Sequence, residues 1–127
     1  MTAQFETSVL DNGLTNMQSN ASHVYVCSTE PTTYNSATTT ATLGFKSWGA
    51  GSALTGPASS TGPTGRQVST VAITDGTITT TGTASWWAIV DVPHTALLAH
   101  GLLSSSQVVT SGNTFSLASF NCKLADQ

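Results

Sequence analysis

Ser85-Trp86-Trp87-Ala88-Ile89-Val90-Asp91-Val92 carries apolar side chains on both of its faces. A run this short, rich in β-branched and aromatic residues and ending at a turn, reads as a central strand covered on each side. Val92-Pro93-His94-Thr95 supplies the turn. Ala96 to Leu103 then runs back, with Leu97, Leu98, Leu102 and Leu103 packing and Gly101 placed for a bulge. Gln107 to Thr110 reads as a short strand, Ser111-Gly112-Asn113 as a turn, and Phe115 to Leu124 as the strand that closes the sheet. Upstream, Gln67 to Thr74 alternates, with Val71 and Ile73 on one face and Val68, Thr70 and Ala72 on the other. Asp75-Gly76 is a hairpin signal, because type I′ turns need residues that tolerate positive φ. Thr77 to Thr83 returns as a Thr-rich strand.

Towards the N-terminus the pattern changes period. Phe5, Val9, Leu10, Leu14 and Met17 fall at helical spacing over Phe5 to Gln18, with Thr7 or Ser8 as caps and Asn12-Gly13 as a break or kink, so one short helix or two turns separated by the glycine is expected. His23 to Ser28 reads as a strand and stops at Glu30-Pro31, since proline cannot donate to a ladder. Thr32 to Thr40 has no periodicity and reads as a surface loop. Ala41 to Trp48 forms a strand with Leu43 and Phe45 on one face. Residues 49–65, GAGSALTGPASSTGPTG, hold five Gly and two Pro and read as a long exposed loop. Turn signals every 8–12 residues or so between short strands mark a sandwich or barrel. The expectation is one all-β domain over residues 1–127, a β-sandwich or barrel-like antiparallel fold with an N-terminal helical arm at 1–20.

Composition agrees and narrows the function. Charged residues make up 7% of the chain, against about a quarter in an average soluble domain. Serine and threonine instead fill close to a third of it. The net charge is −3, and Lys46, Arg66 and Lys123 are the whole cationic complement. That is too little to neutralise a row of phosphates or to hold an anionic membrane, so neither nucleic acid nor membrane is expected as a partner. Met1 to Glu6 lacks the charged and apolar regions of a secretory signal, and no apolar run approaches the length of a membrane span. One bridge between Cys27 and Cys122 is open to the sequence, but two cysteines without a secretory signal are expected to remain thiols in a reducing compartment.

A search for chemistry finds no site. Asp91, His94 and His100 flank one hairpin, yet no HExxH motif or Cys/His cluster accompanies them, so no metal or cofactor is expected. No G-x-S-x-G elbow and no P-loop occur, and Cys27 sits in an apolar strand where a core thiol outweighs a nucleophile. Trp86 and Trp87 should face opposite sides of their strand, one as a core anchor and one under the helix or at an interface. The chain reads as non-enzymatic, with no catalytic residues.

Two groups of residues carry a family resemblance. Cys27-Ser28-Thr29-Glu30-Pro31-Thr32-Thr33-Tyr34 follows the helix-like LDNGLTNM. Gly65-Arg66-Gln67-Val68, Ala72 to Gly76 and Gly82 to Asp91 lead on to Leu97-Leu98-Ala99-His100-Gly101 and Val109 to Phe115. Together they resemble the small β-rich virion proteins of tailed bacteriophages, with residues 49–65 as the divergent part. The resemblance implies a capsid decoration or cement protein on the outer surface of the head. Its partners would be the major capsid protein and copies of itself, forming a homo-oligomer on a particle assembled in the host cytoplasm. A minor tail or fibre part, or a carbohydrate- or receptor-binding module, are the alternatives. Mobile polar segments often order on a partner, which points to Phe5, Leu14, Tyr34, Trp48, Leu54, Pro57 and Pro63 as contacts. Trp48, beside the long loop, is the expected anchor.

Overall fold

The computed structural model describes residues 6–49, 51–52, 54–59 and 65–125. It is mostly antiparallel β-structure: a sheet curled into a half-barrel, a second sheet, and one short N-terminal helix. The elements in chain order are α1 (Thr7–Asn20), β1 (His23–Cys27), a π-helical turn (Ser36–Thr40), β2 (Thr42–Ser47), β3 (Leu54–Ser59), β4 (Gly65–Thr70), β5 (Ile73–Ile78), β6 (Gly82–Asp91), β7 (Ala96–Val109), β8 (Thr114–Leu117) and β9 (Asn121–Ala125). The curled sheet has the order β7-β6-β1-β2-β5-β8, and the second sheet the order β3-β4-β9.

The apolar run around Trp87 is the inner strand it was expected to be, flanked by β7 and β1. Its second half, Ala88 to Asp91, is buried throughout. Val24, Val26, Ile89, Ala84, Leu43 and Ile78 line the concave face and meet Leu54 and Val68 of the second sheet and Leu14 of the helix in the main core. On the convex face Ala88 and Val90 pack with Ala37 of the π-helical turn, against Tyr25 and Tyr34. A strand apolar on both faces is thereby covered on both.

Helix α1 lies against β3 and β4 of the second sheet. Asp11 accepts a two-pronged contact from Arg66 of β4, Nε to Oδ1 at 2.6 Å and Nη2 to Oδ2 at 3.2 Å. The helix starts at Thr7 with Glu6 at its N-cap, one residue before the expected caps. It also runs unbroken through Asn12-Gly13. Packing of Leu10, Leu14 and Met17 outweighs the roughly 1 kcal/mol that glycine costs a helix interior.

Several sequence expectations need correction. Asp75-Gly76 is not a turn but lies within β5. Asp75 accepts a 2.8 Å bond from Lys46 Nζ of β2, which holds its carboxyl below the usual range. Gly76 is the floor under the Phe115 ring; a Cβ there would stand 2.2 Å from the ring's Cε1. The chain instead changes sheets at Val71-Ala72, between β4 and β5. Phe115 to Leu124 is likewise two strands in two sheets. Their crossover is pinned by Thr70, whose N–H donates to Phe120 O (2.8 Å) and whose Oγ1 accepts from Phe120 N–H (2.9 Å).

Gly101 is no bulge either: Trp87 packs its indole where a Cβ would point, with Cζ2 2.8 Å from that position. Part of the supposed 49–65 loop is strand β3, paired with β4 around a register shift at Thr55/Ala58; residues 60–64 lie outside the described ones. The Thr32 to Thr40 loop contains the π-helical turn, anchored by buried Ala37. Leu43 and Phe45 do not share a face, because a register shift beside Cys27 inserts Leu43 as an extra residue. Leu43 enters the core, and Phe45 lies outside, its ring tilted against Tyr25 with centroids 5.5 Å apart.

Candidate functional site

Because the six-stranded sheet is curled but not closed, its end strands β7 and β8 leave a seam. A groove runs along it. One part, about 400 Å³, lies between Leu103, Ser104 and Gln107 of β7 and Ser116, Leu117 and Ala118 on the β8 side. A second, about 470 Å³, shares Leu103, Ser104, Leu117 and Ala118 and continues past Trp87 and Phe120 to Asn121. Val26, Ala84, Val109 and Phe115 form the apolar floor of the first. Serine hydroxyls stand along the walls, and among the described residues no Asp, Glu, Lys, Arg or His lines either part.

Residues Leu103 to Ser106 bulge from the β6 ladder: Trp86 pairs with Leu102 and Ala84 with Gln107, leaving only Ser85 opposite them. Ser85 Oγ and Ser106 Oγ meet at 3.3 Å. On either side of the bulge, Leu102 is 66% and Val108 81% exposed, the most exposed large hydrophobics among the described residues. Open edges are normally blunted by lysine, proline, bulges or short length. The second sheet follows that rule, with Pro57 in edge strand β3 and Lys123 in edge strand β9. Edge strand β7 is 14 residues long, ALLAHGLLSSSQVV, and apart from His100 it holds no ionisable side chain.

The residues singled out in the sequence do not converge on one site. Leu14 and Leu54, at 4% and 2% exposure, are core residues, so neither offers a surface contact. Trp48 is half-buried against the same core rather than standing free beside a loop. Tyr34 is half-buried over the convex-face cluster, and Pro57 is half-buried in β3. Phe5 and Pro63 lie outside the described residues. The seam residues were passed over, although an uncharged stretch from Gly101 to Thr110 was a readable signal once that stretch is taken as an edge.

The ionisable groups are separately engaged. Asp91 is buried; its Oδ2 lies 2.7 Å from His94 Nδ1, and its Oδ1 accepts the His94 backbone N–H at 3.3 Å, closing the 92–95 turn. His100 Nε2 stands 3.4 Å from Glu30 Oε1, with Trp86 6.2 Å from the imidazole. No group of three potential metal ligands gathers among the described residues. Cys27 is fully buried with Sγ 3.7 Å from Ala37 O, and burial pushes its thiol up to about 12. Burial likewise raises Cys122 to about 11, and both cysteines are unbridged. His23 is lowered by burial at one end of a ring row through Tyr25 (6.1 Å) to Phe45. Trp86 and Trp87 do face opposite ways: Trp87 packs on the core with Phe120 at 4.4 Å, and Trp86 lies beside His100.

The seam thus combines an apolar floor, hydroxyl-lined walls and two open sheet edges. The chain matches no family model, no curated protein and no solved structure.

Proposed function

We propose that this protein is a non-enzymatic structural protein that acts by binding other protein chains, as a capsid decoration or cement protein on a phage head. The observation that carries the reading is edge strand β7, long, nearly free of charge, and bearing exposed Leu102 and Val108. Such an edge is a template for pairing with another chain. A protein that spends its life on a particle can keep it, because the partner covers it. Its partners would be the major capsid protein and its own copies, and its place the virion surface. Burial repeated over symmetric copies then adds up to stabilisation of the shell.

A tail or receptor-binding role is the second reading, favoured by Trp86 standing beside His100 and Glu30 on the outer face. An aromatic plate next to polar groups is what a sugar ring would use.

Cryo-electron microscopy of virions containing the protein decides between them. Density over the icosahedral shell supports decoration, with β7 at the contact. Density at the tail selects the second reading, and absence from virions sinks both. In a matching binding assay, Leu102→Lys with Val108→Lys should abolish attachment while leaving the fold intact, since both side chains point to solvent.

A further inference from the structure

We propose that a partner protein inserts one extended, uncharged segment between β7 and β8, pairing with both edges at once and closing the half-barrel. The proposal rests on the reading above, that the protein works by binding protein chains, and deepens it by stating what the groove takes.

The placement of the two edges carries the argument. β7 and β8 end the same curled sheet, and each is paired on one side only. Unlike neighbouring strands of that sheet, their backbones do not run side by side at close range. Yet Leu103, Gln107 and Val109 of β7 bound the same hollow as Phe115, Ser116 and Leu117 of β8. Edges too far apart to pair, but near enough to share a groove, leave a gap that one strand fills, since paired strands lie about 4.8 Å apart. The outward N–H and C=O groups of both edges then find partners in a single occupant. A small apolar ligand would leave them unpaired.

The topology restricts how that strand can run. Every pairing within the sheet is antiparallel. In the order β7-β6-β1-β2-β5-β8, six strands are joined by five such pairings, so β7 and β8 point in opposite directions. The inserted strand is therefore antiparallel to one edge and parallel to the other. β8 has 4 residues, so the stretch held from both sides is about 13 Å long.

The lining sets the composition. Val26, Ala84, Val109 and Phe115 form an apolar floor, so the residues turned towards it are apolar. Ser104 and Ser116 offer hydroxyls on the walls, which suit serine, threonine, asparagine or glutamine at the alternate positions. Among the described residues no ionisable side chain lines the groove, so a charge carried into it would lose its water and meet no counter-charge. The complementary partner segment is thus neutral over the whole doubly paired stretch, alternating apolar with neutral polar residues.

The test presents the full chain with a displayed library of random octapeptides. Selection should enrich sequences that hold a neutral, alternating stretch of this kind. The tightest of them, synthesised with capped ends, should slow hydrogen exchange at amides of Leu103 to Val109 and of Thr114 to Leu117 together. Ser116→Asp should weaken that peptide at least about tenfold by burying an unpaired carboxylate, and Ser116→Ala should change it less than about twofold. Ser116 is exposed, so both variants keep the fold. The proposal is overturned if no peptide is enriched over the Ser116→Asp protein, if the enriched stretches are charged, or if one edge alone is protected. A chain that binds such peptides on both edges yet is absent from virions sinks the virion reading alone. A chain that coats particles with both edges bare sinks this proposal alone.

Discussion

Replacing Gly76 with alanine tests the central corrected feature of the fold, the glycine floor beneath Phe115. The added Cβ would stand 2.2, 2.3 and 2.6 Å from Cε1, Cζ and Cδ1 of the ring, where ordinary contact needs well over 3 Å. Phe115 is 9% exposed and part of the main core, so moving the ring off Gly76 disturbs that packing. Overpacking of this kind costs about 1–3 kcal/mol. Gly76 does not have positive φ, so alanine meets no backbone strain and recovers about 0.5 kcal/mol through the unfolded chain. The net expectation is a loss of about 1.5 kcal/mol, roughly 6 °C in Tm for a chain of this length. Phe115→Ala alone should cost about 3 kcal/mol by opening a cavity. With the ring gone, adding Gly76→Ala should become neutral or stabilising by about 0.5 kcal/mol, a coupling of about 2 kcal/mol. Equilibrium urea unfolding of the four proteins measures it. An equal cost of Gly76→Ala in both backgrounds would refute the stacking argument.

Ser22 joins two segments: its Oγ accepts the Val92 N–H at 2.9 Å and reaches Val90 O at 3.3 Å, in a residue only 7% exposed. Ser22→Ala leaves that partly buried N–H unpaired and should cost about 1 kcal/mol in equilibrium unfolding. Thr42 presents the opposite case, since its Oγ1 is buried without a hydrogen-bond partner. Thr42→Val removes the hydroxyl, keeps the β-branch and should gain up to about 1 kcal/mol in the same assay. Asp11→Asn should cost about 1 kcal/mol by weakening the Arg66 clamp, and less as salt rises, because both side chains are partly solvated. The buried thiols give a pH signature. An unfolded thiol ionises near 9, whereas Cys122 holds its proton to about 11 and Cys27 to about 12. Above pH 9 the folded state therefore binds more protons than the unfolded one, and stability falls as pH rises towards 12. Cys27→Ala with Cys122→Ala should flatten that fall, as read by denaturation midpoints across the range.

How far the sequence could be read depended on whether a signal was local. The strands around Val24 and Ile89 were legible because their apolar patterns are continuous and their bounding residues are proline and turn formers. Asp75-Gly76 misled because a dipeptide that suits a type I′ turn also suits a strand whose glycine must admit a ring from 39 positions later in the chain. Nothing near Gly76 announces Phe115. The register shift at Leu43 is likewise a tertiary fact, set by pairing with β1. Gly56-Pro57 concealed β3 because both residues break a central strand, while an edge strand accommodates them. The site suffered more. Loop-like composition pointed to Leu54 and Pro57 as contacts, yet that composition belongs to a strand that closes the core with Leu54.

The contrast between the two sheets separates a binding edge from an incidental one. Both sheets have open ends, so both face the same hazard of pairing with another chain. A chain with so few charges has little protection to distribute. It nonetheless places a proline in β3 and a lysine in β9, the two edges of the smaller sheet. Had low charge merely reflected a polar, hydroxyl-rich surface, the longest edge would be expected to need such protection most. It carries no lysine or proline, only the bulge at Leu103 to Ser106: from Gly101 to Thr110 the chain offers leucine, serine, glutamine and valine, and the opposing edge β8 reads Thr-Phe-Ser-Leu. On the proposed reading a partner covers this edge, and the pairing hazard becomes the means of attachment. A lysine introduced at Ser104 or Ser106 would give β7 the guard that β9 already has. It should leave stability nearly unchanged and weaken association, whereas the same change in β3 should affect neither.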